Sequence, residues 1–473
     1  MSTTWPEYQF GKGPVPYACF RPPVFPPVAL PAALVHPTFG RFADNAAAPP
    51  ASWREAYDLE SECAMELTAF MPLHYKYESE RQDLLLQVLE RLLGMPVRES
   101  SPARSSRSRT DGSVVVNAAG VEVLACLVVV KNELSSAGDP SFQGARTVQL
   151  SLSSPARAAL RSRDVCPALL VEVVGPLLRI SALSALSENR VLCEPLTPFL
   201  HCLPVTGQPR HLDALVAALR ALRIGVAELA SHYTSAPVTA AATAAQMPRD
   251  PRLALPYPLR DDGSFAQVQH LCAGKLVYSA VATGAIAAGL PSHASNKVCV
   301  KFAVRSYGSE VHTTWAAAGL APALYEHRVL PGGVHMAVME LLSRDDGWCM
   351  LHEMPPSERS AAARAVDEAL ARAHGLQLPC GGRAAHGDCR EANVLLRRGA
   401  TPGTPYAVRF IDFDWAGRAA EPRQSNDAQQ PLAPAVYPPY MSTTVPWPSG
   451  ASPGAPLMQE HDMALLAATR AIS

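Results

Sequence analysis

The chain has 473 residues, 48% of them hydrophobic, which is more than one ordinary core accommodates and predicts two or three domains. A net charge of -1 excludes a chain-wide nucleic-acid surface, so nucleic acid is not an expected partner unless a local basic patch forms. Eleven cysteines without a C-x-x-C pair point to a reducing compartment rather than a disulfide framework.

The N-terminal MSTTWPEYQF lacks the basic-then-apolar order of a signal peptide, and apolar windows such as Val121–Val130 fall short of a bilayer span. An intracellular protein, cytoplasmic or nuclear and without membrane attachment, is expected. Nine prolines before position 38 predict a Pro-rich irregular arm over residues 1–50. Glu55–Leu93 carries Leu59, Cys63, Leu67 and Phe70, then Leu85, Val88, Leu89 and Leu92, at helical spacing, with Pro72 dividing it into two helices. The Ser/Arg-rich run 100–109 reads as a solvated loop.

From Asp111 the pattern becomes strand, strand, helix, and further strands follow at Ala168–Ala182 and Arg190–Leu196. This mix predicts an α/β domain over residues 51–205. Asp111, Lys131, Glu133 and Gln143 within it resemble the active-site skeleton of the PD-(D/E)XK nuclease-like fold, whose acids hold Mg2+ beside a lysine. Val129 stands where that motif needs a carboxylate, two residues before Lys131, and Glu133 lies on the far side of the lysine. The resemblance therefore implies a degenerate, structural module, with a working metal-dependent nuclease as the alternative.

His211–Tyr233 reads as one amphipathic helix, with Leu215, Leu219, Leu222, Val226 and Leu229 on one side, and the Ala/Thr/Pro-rich stretch after it as a linker. Helix and linker fill 206–257, and a further domain is expected over 258–473. It opens with strand patterns around Gly274, then Lys297-Val-Cys-Val-Lys301-Phe302, a helix over Tyr307–Leu320, a strand over Val334–Leu342 and a helix over Ser357–His374.

The chemistry concentrates in His386-Gly387-Asp388, Asn393 and Asp412-Phe413-Asp414. Asn393–Leu396 and Tyr406–Ile411 have strand composition, and Gly399–Pro405 supplies a reversal, so a hairpin brings Asn393 to Asp412. Two carboxylates and an amide meeting there suit a hard divalent cation and a polyphosphate.

This segment resembles the catalytic loop and metal-binding motif of the protein-kinase-like superfamily, in its H-G-D variant. Its surroundings are similar to the divergent kinase domains of a group of fungal and algal proteins and of Crinkler-type effectors. The resemblance implies an α+β, two-lobed kinase-like domain with an abbreviated C-lobe, using ATP and Mg2+. It implies Asp388 as catalytic base, Asn393 and Asp412 as metal ligands, and Lys301 as the phosphate-binding strand lysine oriented by Glu310. Gly274 would approach the phosphates, Glu340 and Leu342 would meet the adenine edge, and His386 and Asp462 would hold the catalytic loop. The expected acceptor is a serine or threonine of a protein substrate, with a small-molecule hydroxyl as the alternative, and an inactive nucleotide-binding pseudokinase is the rival reading. One departure is Asp414, which stands where the third motif has glycine.

Overall fold

The computed structural model describes residues 17–18, 30–47, 58–99, 110–118, 120–133, 139–153, 155–187, 190–203, 211–235, 249–272, 274–292, 294–399, 405–420 and 433–472. The Ser/Arg-rich run at 100–109 and positions 236–248 of the expected linker lie outside them. The chain divides into two compact units, Met1–Asp262 with Leu330–Gly333, and Gly263–Val329 with Val334–Ser473. Both mix helices and sheets. No helix among the described residues is long and apolar enough to cross a membrane.

The first unit is built on a sheet of order β1-β6-β5-β4-β3-β2, with β7 on β5. Its strands are β1 (Tyr17–Ala18), β2 (Gly112–Ala118), β3 (Val121–Lys131), β4 (Ala168–Val174), β5 (Leu177–Ala185), β6 (Val191–Pro195) and β7 (Leu200–His201). Helices α1 (Ala32–Val35), α2 (Pro37–Ala47), α3 (Asp58–Phe70), α4 (Glu78–Leu93), α5 (Pro140–Leu152), α6 (Pro155–Arg163), α7 (His211–Ser235) and α8 (Tyr257–Asp261) complete it. Strands β3 and β4 run parallel, which requires the crossover that α5 provides. Asp139 caps α5 by accepting from the Ser141 and Phe142 N–H groups.

Both faces of this sheet are covered, which is why β3 reads as an apolar run from Val123 to Val130 and β4 as one broken only by Glu172. Val128, Val130, Val171 and Val173 pack with Leu85, Leu89, Leu219 and Leu222, while Leu127, Val129 and Leu170 pack with Ala145, Val148 and Leu152.

Two expectations need correction here. Residues 32–47, expected as part of an irregular arm, form α1 and α2 and place Phe39 and Phe42 in the core. The prolines that suggested irregularity stop at Pro37, which is the first residue of α2, where its missing N–H leaves no bond unmade. The single strand region read over Ala168–Ala182 is a hairpin, reversed at Gly175 with φ +56°.

The second unit opens with a sheet of order β11-β12-β10-β9-β8. These are β8 (Phe265–His270), β9 (Val277–Ala282), β10 (Lys297–Ala303), β11 (Leu324–Leu330) and β12 (Val334–Glu340), with α9 (Gly284–Gly289) before β10 and α10 (Ser309–Ala317) after it. Strand β10 is central, paired antiparallel to β9 and β12, so Val298, Val300 and Phe302 are buried. There follow β13 (Cys349–Met350), α11 (Pro356–Gly375), β14 (Ala384–Ala385), β15 (Val394–Arg398), β16 (Tyr406–Phe410), β17 (Gly417–Arg418) and α12 (Gln459–Ile472). Helix α11 turns Ala362, Val366, Ala369, Leu370 and Ala373 inward. Ala365 is half-buried against the same core.

Candidate active site

The expected hairpin forms. Strands β15 and β16 pair antiparallel with Val394 opposite Phe410, and the Ile411 N–H donates to the Asn393 carbonyl at 3.0 Å. Asp412 thereby leaves the sheet beside Asn393. Its φ of +74° places it in the left-handed region, which Asp and Asn occupy more readily than bulkier residues. Such local strain is characteristic of positions where geometry serves a site.

Asp388 arrives on the preceding loop. Asn393 Nδ2 donates to the Asp388 carbonyl at 2.9 Å and to Oδ2 at 3.0 Å, while Arg390 Nε lies 3.0 Å from Oδ1. Burial pushes the Asp388 carboxyl up; Arg390 opposes this and Asp412 adds to it. Asn393 Oδ1 is buried and has no hydrogen-bond partner. A buried amide oxygen without a donor, facing the same end of the hairpin as a carboxylate, fits a hard oxygen-seeking cation. Among the described residues no group of three or more His, Cys, Asp and Glu side chains gathers as a metal cluster.

Two ammonium groups converge on Asp412. Lys301, near the end of β10, ion-pairs with Asp412 Oδ1 and lies 2.5 Å from Asp414 Oδ1, and Lys275 Nζ donates to Asp412 Oδ2 at 3.1 Å. Burial alone would push the Asp412 carboxyl up, but the two lysines outweigh it and hold Asp412 well below the usual carboxylate range. Asp414 goes the other way, because burial and the neighbouring Asp412 charge together exceed the pull of Lys301. Lys275 precedes the apolar run Leu276-Val277-Tyr278, and nothing in that pattern tells it from a solvated lysine. It follows Gly274, which has a φ of +81°, and its side chain is half exposed in the β8–β9 connection.

The loop bearing Asp388 is fixed from behind. The buried Asp462 of α12 accepts from the His386 N–H at 2.7 Å and the Gly387 N–H at 2.9 Å, and His374 Nε2 lies 3.0 Å from its Oδ2. His386 is fully buried; its Nδ1 accepts from the Asp388 N–H at 3.3 Å, so Nε2 carries the proton that reaches the Ile411 carbonyl at 3.0 Å. Phe413 is clamped by stacking on His312, with centroids 4.4 Å apart, and by the edge of Trp315.

Glu310 does not take the place expected for it. It lies in the first turn of α10 and accepts from the Cys380 N–H at 2.8 Å, while the ion pairs of Lys301 are with Asp412 and Asp414. The Gly308 N–H donates to the Phe413 carbonyl at 2.8 Å, which ties the start of α10 to the motif backbone. At the end of β12 the Glu340 N–H donates to the Ala323 carbonyl at 2.8 Å, and its carboxylate accepts from the Ala323 N–H at 3.2 Å. That N–H is therefore not free for an adenine edge. Leu342, two residues on, is half-buried outside the strand.

Of the nuclease-like residues, Asp111 and Lys131 come together, and the charges of Lys131, Glu78 and Glu99 all act on the Asp111 carboxyl. Asp111 Oδ2 accepts from the Val130 N–H at 2.8 Å, and Lys131 Nζ pairs with Glu78 at 3.0 Å. Among the described residues Glu133, exposed in the turn after β3, and Gln143, on α5, make no side-chain hydrogen bond or ion pair with either. The nearby buried acid is Glu172, in register with Val129 across β3 and β4, and its oxygens are taken by Arg179, Ser141 and Ser181.

No protein-family model and no curated protein matches the chain. Among solved structures it is similar in part to the kinase PK-1 of the Cydia pomonella granulovirus, at 15% sequence identity and a TM-score of 0.24, over 35% of this chain and 57% of that one. The chain thus spans little more than half of that kinase's length.

Proposed function

We propose that the second unit binds Mg-ATP and transfers a phosphoryl group to a hydroxyl acceptor. The observation that carries this reading is the meeting of Asp388, Asn393 and Asp412 at one end of a hairpin, with the strand lysine Lys301 on Asp412. Magnesium, bound by Asn393 Oδ1 and the Asp412 carboxylate, would neutralise charge on the phosphates. Lys301 and Lys275 supply ammonium groups for the phosphate oxygens. Asp388 is the proton acceptor: burial raises its basicity, Arg390 favours its ionised form, and Asn393 fixes its orientation. A protein serine or threonine is the acceptor class we favour from the motif pattern.

The test is calorimetric titration of ATP at fixed Mg2+ together with a phosphoryl-transfer assay over protein and small-molecule acceptors. Asp412→Asn tolerates the left-handed backbone and should weaken Mg-ATP at least tenfold, about 1.4 kcal/mol. Asp388→Asn should bind Mg-ATP normally and lose transfer by roughly 10²–10⁴-fold, the usual contribution of a general base. Unchanged Mg-ATP affinity in Asp412→Asn overturns the metal assignment. Binding without transfer in the unmutated protein would leave a nucleotide-binding module only.

A further inference from the structure

We propose that Asp414 is the positioning residue for Lys301, holding its ammonium in place for a nucleotide's phosphates. This rests on the phosphoryl-transfer reading and adds a residue to it.

The first support is geometric. Lys301 Nζ is 2.5 Å from Asp414 Oδ1, and the helix carboxylate expected in this place, Glu310, is turned to the Cys380 N–H. The second is charge balance. Lys301 is buried and shares Asp412 with Lys275, so drawing the Asp412 oxygens toward a cation would leave the Lys301 ammonium short of a counter-charge. A buried charge with its partner removed is strongly disfavoured. Among the described residues Asp414 is the other carboxylate paired with that ammonium, and its side chain is 34% exposed.

The third support is rigidity. A positioning group must itself be held. The Asp414 carbonyl accepts from Ser306 Oγ at 2.6 Å, and the Phe413 carbonyl accepts from the Gly308 N–H at 2.8 Å. Both donors lie on the segment that joins β10, the strand of Lys301, to α10. Lysine and carboxylate are therefore carried on two segments stitched together at the backbone. A glycine at 414 could keep the stitching but would supply no anion.

The experiment compares the affinity of the full chain for Mg-ATP with its affinity for adenosine, which isolates the phosphate contribution. The unmutated protein should prefer Mg-ATP. Asp414→Asn should cut that preference about tenfold, and Lys301→Met should cut it at least as far. The double variant should lose no more than Lys301→Met alone, since Asp414 acts through the lysine. Asp414→Glu, which restores the charge one methylene further out, should recover part of the preference, and it carries the test should Asp414→Asn fold poorly. Glu310→Gln should change the ratio less than twofold. If Asp414→Asn matches the unmutated protein, if Glu310→Gln falls as far as Asp414→Asn, or if the two losses add in the double variant, the positioning role is overturned while nucleotide binding stands. If the unmutated protein shows no preference for Mg-ATP over adenosine, the phosphoryl-transfer reading fails and this role fails with it.

Discussion

Lys275 and Lys297 show how little a lysine's sequence neighbourhood says about its work. Lys297 starts β10 and is exposed, whereas Lys275 follows a turn glycine and reaches Asp412. Lys275→Ala should weaken Mg-ATP several-fold and leave adenosine unchanged, while Lys297→Ala should alter neither; equal losses from both, measured by calorimetry, would mean that the turn lysine does not enter the site. Lys301 was legible because it ends a run of strand-forming residues, a pattern that fixes which strand it sits on. Its partner was not legible. Choosing between Glu310 and Asp414 depends on how the loop after β10 runs, and that path is set by the Gly308 to Phe413 hydrogen bond, a contact between positions more than a hundred residues apart.

At the scale of elements, the site depends on how α10, the hairpin and α12 are joined. A Cβ at Gly308 would come within 2.3 Å of the Ala416 carbonyl oxygen, so the close approach of α10 to the motif requires glycine. Gly308→Ala should destabilise the protein by about 1–3 kcal/mol, as overpacking does, and lower Mg-ATP affinity although no charged group is altered. Denaturant unfolding and calorimetry on the same variant check both halves. Trp315, fully buried against His386, Phe410 and Phe413, should cost about 3–5 kcal/mol when cut to alanine.

Asp462→Ala leaves the buried His386 and Gly387 N–H groups without an acceptor. Removing it should cost about 3–5 kcal/mol in denaturant unfolding, the usual penalty for breaking a buried charged partner. A loss below 1 kcal/mol would show that water replaces it readily. The hairpin itself was plain in the sequence, because two apolar runs flanked a Gly/Pro reversal. Strand β11 was not, since Glu326-His327-Arg328 interrupts any alternation and the strand is only half-buried.

Across the whole chain, the second unit was more legible than the first, and the reason is physical. Its motif places chemically distinctive residues at short spacing, whereas the first unit is joined by apolar contacts between distant segments. Phe39 and Phe42 meet α7 in a core cluster that no local pattern announces. One consequence concerns acid stability. Burial, reinforced by His232, pushes the His36 imidazole down to about 3. An unfolded imidazole gains its proton near pH 6.5, so between pH 6.5 and about 3 the unfolded chain binds the extra proton. Stability from neutral His36 is therefore complete above pH 6.5 and is lost as pH falls, with a slope of up to about 1.4 kcal/mol per pH unit. His232, raised against its own burial by the Asp164 carboxylate 2.7 Å away, acts oppositely: its stabilisation is present at low pH and fades as pH rises through its folded value. Urea midpoints from pH 7 to pH 4 should fall more steeply for the unmutated protein than for His36→Asn, and parallel curves would contradict this account.

The backbone of Asp412 carries a last implication, for a saturation library at that codon. Sorted only for folded, expressed protein, the library should be enriched in glycine, asparagine and aspartate, the residues that accept a φ of +74°. Sorted for nucleotide capture, it should narrow to aspartate alone, so the gap between the two enrichment profiles separates what the chain requires in order to fold from what it requires in order to act.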